Sequence, residues 1–197
     1  MSIKIMDGDL FTTKASIICH QVNCQGEMNT GMAQQVREKF PHVYEEYKGY
    51  VEAFREVVGT NGYFEMQDLL GVVYATPTKK QKWCFYVDDC FNQKFVGYKM
   101  VDSNQYIANL FAQANYGYDG KMYTDLQALK DCFTAIRDAT QSENVLTQKN
   151  VLHNAIIAMP YKIGCCRGGA DWDKEVFPMI QDVFKDCDVE LWRWDRD

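Results

Sequence analysis

Two short apolar runs, each followed by a loop rich in glycine, constrain the fold of this chain most. Residues 15–22 read ASIICHQV and residues 154–160 read NAIIAMP, and apolar runs of this length are typical of strands covered on both faces. The first run leads into the loop 23–31, and the second is followed by the loop 164–169. Because such strands need helices on both sides, the pattern predicts a layered α/β domain.

Helical and strand patterns alternate along the rest of the chain. Apolar residues at helical spacing predict helices at 32–40, 41–54, 125–139 and from the second loop towards residue 185. Other runs predict strands at 3–6, 69–76, 83–87, 106–111 and 190–194. Pro178 lies inside the last helical pattern and predicts a loosened first turn. The alternation favours a mixed, mostly parallel sheet, and the stretch at about 78–103 predicts a β-hairpin insertion.

Composition and charge narrow the class of protein. Apolar residues make up 47% of the 197 residues and aromatic residues 14%, which is enough for a sizeable core. The 21 basic and 27 acidic residues give a net charge of −6, which argues against long nucleic acids as partners. No apolar run approaches the roughly 20 residues that cross a bilayer, and no targeting segment is visible at the start. We therefore expect a cytoplasmic protein without a membrane partner.

The cysteines and histidines do not form a metal or disulfide framework in the sequence. The eight cysteines are scattered through apolar segments without a CxxC pair, and the three histidines lie far apart. This distribution is typical of reduced core thiols in a reducing compartment. We expect no metal and no other cofactor.

The two glycine-bearing loops point to a phosphate ligand. A strand that runs into such a loop and then a helix lets backbone N–H groups and the helix dipole approach phosphate oxygens. The alternative is that the glycines only turn the chain. The standard dinucleotide and P-loop motifs are both absent, which weakens the case for a generic nucleotide-binding α/β protein.

Five sequence pieces, in order, resemble the macro domains that bind ADP-ribose. These pieces are spread along nearly the whole chain apart from 78–103. They are Gly8-Asp9-Leu10, 20–26 (HQVNCQG) with 31–33 (GMA), 107–113 (IANLFAQ), 159–165 (MPYKIGC) and 168–172 (GGADW). The resemblance implies a single macro domain over 1–197 with a three-layer α/β/α fold. The form His-x-x-Asn-Cys-x-Gly at 20–26 resembles the corresponding sequence in the branch of the family that removes phosphate from ADP-ribose 1″-phosphate.

The resemblance also implies roles for particular residues. Asp9 and Leu10 would contact the ligand, and Asp9 would accept a hydrogen bond from the adenine amino group. Asn23 would hold the distal ribose, and His20 and Asn23 would be the catalytic candidates. The first loop would wrap the distal ribose and its phosphate through Gly26, Met28, Gly31 and Met32. The second loop would hold the diphosphate through Ile163, Gly164, Cys165, Arg167, Gly168 and Gly169.

Some positions depart from related branches. A branch that hydrolyses ADP-ribosyl groups from proteins uses a lysine and an aspartate where this chain has Gln113 and Gly168, so that mechanism is not expected. Where family members often have glycine in the second loop, this chain has Lys162 and Arg167. Arg167 would either clamp a phosphate oxygen or remain a solvated surface residue.

Each candidate also has a purely structural interpretation. His20 lies in a buried strand and is equally well explained as a satisfied core residue. Asn23 would cap the loop, Asp9 would be a turn residue, and Asp171 is predicted to be a helix N-cap. The pair Cys165-Cys166 lacks a neighbouring base. We expect a hydrolase acting on ADP-ribose 1″-phosphate or a related derivative, with a non-catalytic ADP-ribose-binding module as the alternative; the oligomeric state is left open.

Overall fold

A six-stranded sheet forms the centre of the molecule. The computed structural model describes residues 2–61, 65–79, 82–83, 86–87, 93–94, 98–99, 104–117, 119–141 and 155–194. The central strands are β1 (Ile3–Asp7), β2 (Ile17–Asn23), β3 (Val73–Pro77), β8 (Tyr106–Gln113), β9 (Ile157–Pro160) and β10 (Val189–Arg193). Their order is β1-β10-β9-β2-β8-β3, and every neighbouring pair is parallel except β3 with β8. The mixed, mostly parallel sheet predicted from the sequence is confirmed.

Helices cover both faces of the sheet. They are α1 (Gly31–Lys39), α2 (Pro41–Asn61), α3 (Leu126–Gln141) and α4 (Phe177–Val183). On β2, Ile18 belongs to the core that includes residues of α1 and α2, whereas Ile17 belongs to the core that includes residues of α3 and α4. Because successive side chains of a strand point to opposite faces, both faces of β2 are covered. The predicted three-layer α/β/α architecture is therefore confirmed.

Several local predictions differ in detail from the structure. The helix predicted at 41–54 continues to Asn61, and the region predicted as one strand at 83–87 contains the ends of two short strands, Lys82–Trp83 and Tyr86–Val87. The strand predicted at 69–76 begins only at Val73, because Met66–Leu69 forms a 3₁₀ turn that Glu65 and Asp68 cap reciprocally. The irregularity predicted at Pro178 lies just before it, in a π-helical turn at Trp172–Val176 that runs into α4.

Asp171 caps the π-helical turn, as predicted. Its carboxylate accepts hydrogen bonds from the N–H groups of Asp173 and Lys174, each at 3.0 Å. These hydrogen bonds keep the pKa of Asp171 below its usual value.

Four short strands lie between β3 and β8. They are β4 (Lys82–Trp83), β5 (Tyr86–Val87), β6 (Gln93–Lys94) and β7 (Tyr98–Lys99), and β4 pairs with β7 and β5 with β6, both antiparallel. The rest of 80–103 lies outside the described residues, so the hairpin insertion at 78–103 stays a prediction. In the part of the chain that the structure describes, no helix is both long and apolar enough to cross a membrane.

Candidate functional site

A cavity of about 290 Å³ opens at the carboxyl ends of β2, β8 and β9. Because neighbouring parallel strands end at the same edge of a sheet, the loops that follow them meet there. We call this space between the loops the loop cavity. Its lining residues are Gln21, Val22, Asn23, Glu27, Asn29, Thr30, Gly31, Met32, Ala33, Gln113, Tyr116, Gly117, Pro160, Tyr161, Lys162, Ile163, Gly164, Cys166, Arg167 and Gly168.

The side chain of Asn23 organises the first loop. Its Nδ2 donates to the carbonyl of Glu27 at 2.8 Å, and its Oδ1 accepts from the N–H groups of Gln25 and Glu27. The hydroxyl of the fully buried Tyr47 donates to the carbonyl oxygen of Asn23 at 2.6 Å. The geometry thus shows Asn23 capping the loop, and the amide lies on the cavity wall at the same time.

Two residues predicted to contact a ligand in the first loop do not line the cavity. Met28 is fully buried in the core beneath α1 and α2. Gly26 has a φ of +84°, and a Cβ there would lie 3.6 Å from Val51, so this glycine turns the loop against α2. Gly31 and Met32 do line the cavity.

The second loop is held by its own backbone. The N–H groups of Ile163, Cys165, Gly169 and Ala170 donate to carbonyls within segment 160–165. Within the described part of the chain, no hydrogen-bond partner is found for the N–H groups of three residues that line the cavity, namely Gly164, Cys166 and Gly168. Free backbone donors in a glycine-rich loop are suited to phosphate oxygens.

Thr124 joins the second loop to β2. Its hydroxyl donates to the carbonyl of Gly164 at 2.7 Å and accepts from Nε2 of Gln21 at 2.9 Å. The Oε1 atom of Gln21 is buried and has no partner among the described residues. Gln21 also lines the cavity, so its hydrogen bond with Thr124 forms part of the cavity wall.

Lys162 is the one residue other than glycine with a positive φ, at +61°, among the described residues. The left-handed conformation costs an L-residue roughly 1–2 kcal/mol, and such strain is concentrated at functional sites. Its ammonium lies 5.8 Å from the Tyr161 ring centre, on the cavity wall. Together with Arg167 it places two cationic side chains on this wall.

Two replacements of Lys162 should separate the effect of its charge on ligand binding from the effect of its strained backbone on stability. We expect Lys162→Gly to raise the free energy of unfolding by about 0.5–1 kcal/mol and to weaken binding of a diphosphate ligand roughly fivefold. Lys162→Gln removes the charge but keeps the strained backbone, so it should weaken binding equally without stabilising the fold. Urea denaturation and calorimetry on both variants measure the two effects. A glycine variant no more stable than the glutamine variant would contradict the strain argument.

His20 lies away from the cavity. It is fully buried, its Nε2 is 2.8 Å from Oδ1 of Asn109, and its Nδ1 has no partner among the described residues. Burial lowers the pKa of His20 to about 4, although the hydrogen bond with Asn109 opposes this shift. The catalytic role predicted for His20 has no support in this geometry, because the neutral ring does not reach the cavity.

Asp9 lines a second cavity of about 560 Å³, which we call the Asp9 cavity. The side chain of Leu10, in contrast, is buried in the core. The two cavities share Gly31, and the remaining residues around the Asp9 cavity are Phe11, Gln34, Gln35, Glu38, Lys39 and Trp194.

The carboxylate of Asp9 is kept ionised by its neighbours. Partial burial raises its pKa, but hydrogen bonds from Lys39 and the N–H of Phe11, with the charge of Lys39, outweigh this and hold the pKa below its usual value. The Lys39 ammonium lies 2.9 Å from Oδ2, and the N–H of Phe11 lies 2.9 Å from Oδ1.

The cysteine pair is split between core and cavity. Cys166 lines the loop cavity, whereas Cys165 packs against the core and donates to the carbonyl of Ile163. Burial is the main cause that raises the pKa of Cys165 to about 11, and the neighbouring Cys166 adds to it. The thiol of Cys165 is therefore not ionised at neutral pH. Of the predicted second-loop residues, Cys165 and Gly169 do not line the cavity.

Several lining residues were not singled out in the sequence. Glu27 and Asn29 lie between Gly26 and Gly31 in the first glycine-bearing loop, so the loop itself is the available signal. Tyr116 and Gly117 follow β8, and they reach the cavity because Asn23 at the end of β2 pairs with Gln113 at the end of β8. Gln25 strengthens this junction by donating to the carbonyl of Ala114 at 2.9 Å.

Comparisons with known proteins identify the fold. No protein-family model and no curated protein sequence matches the chain. Solved structures do match over nearly its whole length. A protein of unknown function from Bacteroides thetaiotaomicron has 19% identity and a TM-score of 0.65, with 98% of each chain covered. The macrodomain of Thermus aquaticus DarG has 17% identity and a TM-score of 0.62, with 99% of each chain covered.

A third similar structure is Thermosipho africanus DarTG in complex with ADP-ribose. It is 17% identical with a TM-score of 0.60, and the match covers 97% of this chain but 41% of that one. With the six-stranded mixed sheet between two helical layers, these likenesses show that the chain has the macrodomain fold.

Proposed function

We propose that this chain binds ADP-ribose and hydrolyses the terminal phosphate of ADP-ribose 1″-phosphate or a related derivative. The observation that carries the proposal is the arrangement of two cavities that share Gly31. One has an ionised carboxylate beside aromatic rings, and the other has glycine-rich backbone and two cations. An extended molecule with a base at one end and phosphates further along fits this sequence of environments.

The Asp9 cavity fits the adenine end. An ionised carboxylate only accepts hydrogen bonds, so Asp9 suits an amino group. Trp194, which directly follows β10, is 49% exposed and lines this cavity, so its ring is available for stacking on a planar base. The strand order supports this placement, because β1 and β10, which lead to Asp9 and Trp194, are neighbours in the sheet.

The loop cavity fits the diphosphate and the distal ribose. The backbone donors of the second loop lie after β9, next to β2 in the sheet, and Lys162 and Arg167 add positive charge. Beyond them, at the ends of β2 and β8, Asn23, Gln113 and Tyr116 surround the remaining space. A terminal phosphate on the distal ribose would lie in this part of the cavity.

A binding module without chemistry is the second candidate function. It is favoured by the high pKa of Cys165 and by Gln113, neither of which supplies a nucleophile. The two candidates predict the same ligand but differ in turnover.

Calorimetry and phosphate release test the two parts of the proposal. We expect micromolar-range binding of ADP-ribose in the presence of a chelator, and steady release of inorganic phosphate from ADP-ribose 1″-phosphate. Absence of heat at near-millimolar ADP-ribose would contradict the binding proposal. Binding without phosphate release would instead favour the module.

The adenine end has its own test, at Asp9. The hypoxanthine analogue of ADP-ribose presents a carbonyl oxygen to the Asp9 carboxylate, so we expect it to bind the native protein about tenfold to a hundredfold more weakly. Asp9→Asn provides an amide N–H that can donate to that oxygen, and should largely remove the preference for adenine. Calorimetry with both ligands measures the preference.

A matched control for Asp9 is available in the same region. Asp7→Ala breaks the exposed ion pair with Arg193, and Asp7 does not line the Asp9 cavity. It should leave the base preference intact. Equal discrimination in the native protein and in Asp9→Asn would remove Asp9 from the ligand site and leave it as a cap of the turn at Leu10–Thr12.

A further inference from the structure

Glu27 carries the only carboxyl group among the described residues that line the loop cavity. We propose that Glu27 is the proton acceptor for the water that attacks the terminal phosphate. This inference rests on the proposed function, because it assigns a residue to the hydrolytic step of that same site. The sequence singled out neither Glu27 nor any other carboxylate for this step.

The backbone of Glu27 is fixed on both sides by one side chain. The amide of Asn23 donates to the carbonyl of Glu27 at 2.8 Å and accepts from its N–H at 3.3 Å. Asn23 is in turn bound by the hydroxyl of buried Tyr47. The position of Glu27 relative to the end of β2 is therefore set by a chain of hydrogen bonds that leads into the core.

The carboxylate of Glu27 is held through one oxygen. The amide Nδ2 of Asn29 donates to Oε2 of Glu27, and the Arg37 guanidinium donates to Oδ1 of Asn29 at 2.6 Å. This relay fixes which end of the Asn29 amide faces Glu27. The second oxygen, Oε1, has no hydrogen-bond partner in the described part of the chain, so it has lone pairs for a water molecule.

The charges around the cavity suit a carboxylate that works beside a phosphate. Lys162 and Arg167 on the second loop offset the charge of Glu27, and the three side chains together carry one net positive charge. A phosphate monoester is therefore attracted to a cavity that still contains a base. A general base acts within hydrogen-bond reach of the proton that it removes.

The chemical step balances with water as the only co-reactant. A water oxygen forms a bond to phosphorus while one of its protons moves to Oε1 of Glu27. The bond between phosphorus and the oxygen on C1″ breaks, and that oxygen keeps the electron pair and takes a proton from solvent. Inorganic phosphate and ADP-ribose leave, and Glu27 returns its proton to solvent.

Glu27→Gln tests this role. The amide has almost the same shape as the carboxylate and can still accept a hydrogen bond from Asn29, but it cannot take a proton. With ADP-ribose 1″-phosphate we expect kcat to fall at least about 100-fold, in the range typical of a lost general base. The Kd for ADP-ribose and the melting temperature should change little. Glu27→Asp should retain intermediate turnover.

Glu52→Gln is the matched control, since Glu52 lies on exposed α2 surface in a pair with Lys48. Its turnover should equal that of the native protein. If Glu27→Gln keeps more than about a third of native kcat, or loses turnover only in proportion to a loss of ADP-ribose affinity, Glu27 is not the base.

Failure of the proposed function gives different results. A native protein that does not bind ADP-ribose overturns both the proposed function and the assignment of Glu27. A native protein that binds ADP-ribose but releases no phosphate overturns the assignment and the hydrolase while leaving the binding module.

Discussion

Replacing Gly168 with alanine is expected to lower the affinity for ADP-ribose at least about 100-fold and to destabilise the protein. A Cβ at Gly168 would lie 2.0 Å from Oγ1 of Thr124 and 2.3 Å from the carbonyl oxygen of Gly164. The carbonyl oxygen of Gly164 belongs to the backbone, so a side-chain rotation cannot relieve the clash with the added Cβ. The second loop would have to move away from Thr124, and its N–H groups would lose the geometry that a diphosphate needs.

The contacts of Gly168 also tie the second loop to the segment before α3. Its carbonyl accepts from the N–H groups of Tyr123 and Thr124 at 2.8 and 2.9 Å. Overpacking of such a site costs typically 1–3 kcal/mol of stability. Binding by calorimetry and unfolding by urea should both show the effect.

Gly49→Ala is the matched control for Gly168→Ala. Gly49 lies within α2 with no atom within 4 Å of an added Cβ, so alanine should stabilise the protein by about 0.5–1 kcal/mol and leave binding unchanged. If Gly168→Ala binds ADP-ribose like the native protein, the second loop does not hold the ligand through the backbone geometry described above.

The layers of the fold could be predicted because a strand covered on both faces is a continuous apolar run, whereas a helix packed against it has apolar residues at helical spacing. On β2, Ile17 and Ile18 are both buried yet belong to different cores, and this is the pattern of a strand covered on both faces. The strand predicted at 69–76 begins later, at Val73, because Met66–Leu69 forms a capped turn. That turn depends on the polar side chains Glu65 and Asp68, whose contribution a hydrophobic pattern does not contain.

The position of the candidate site could be predicted, but the directions of its side chains could not. Glycines marked both loops, yet Met28 points into the core while Glu27, one residue before it, lines the cavity. Likewise Cys165 packs inward and Cys166 lines the cavity. A loop has no repeating geometry, so each direction depends on particular hydrogen bonds, such as those of Asn23, that only the folded chain reveals.

His20 is expected to make stability strongly dependent on pH. Burial lowers its pKa from 6.5 to about 4, so the folded protein favours the neutral ring. The contribution of the neutral His20 ring to the free energy of unfolding is complete above pH 6.5. It falls as the pH decreases and is lost by pH 4. A shift of this size corresponds to about 3 kcal/mol. The physical reason is that protonation would place a charge and a second N–H at Nδ1, which has no partner among the described residues.

His20→Gln should remove this pH dependence, because glutamine has no titratable group. Its amide can still donate a hydrogen bond to Oδ1 of Asn109, so the fold should be kept. Between pH 6.5 and pH 5 the native protein should lose about 2 kcal/mol more than the variant, as measured by urea denaturation at each pH. Carboxylates that titrate in the same range affect both proteins alike, so the difference isolates His20. His42→Gln, which replaces a histidine whose Nε2 lies 2.9 Å from the carbonyl oxygen of Pro77, is the matched control for the loss of a histidine elsewhere in the chain. Parallel curves for His20→Gln and the native protein would contradict the prediction.

The same variant also separates the structural role of His20 from a catalytic one. Because His20 does not line the loop cavity, a stable His20→Gln protein should bind ADP-ribose and turn over normally at pH 7. Loss of turnover with unchanged stability would instead place the ring in the chemistry and require the base to be sought there rather than at Glu27.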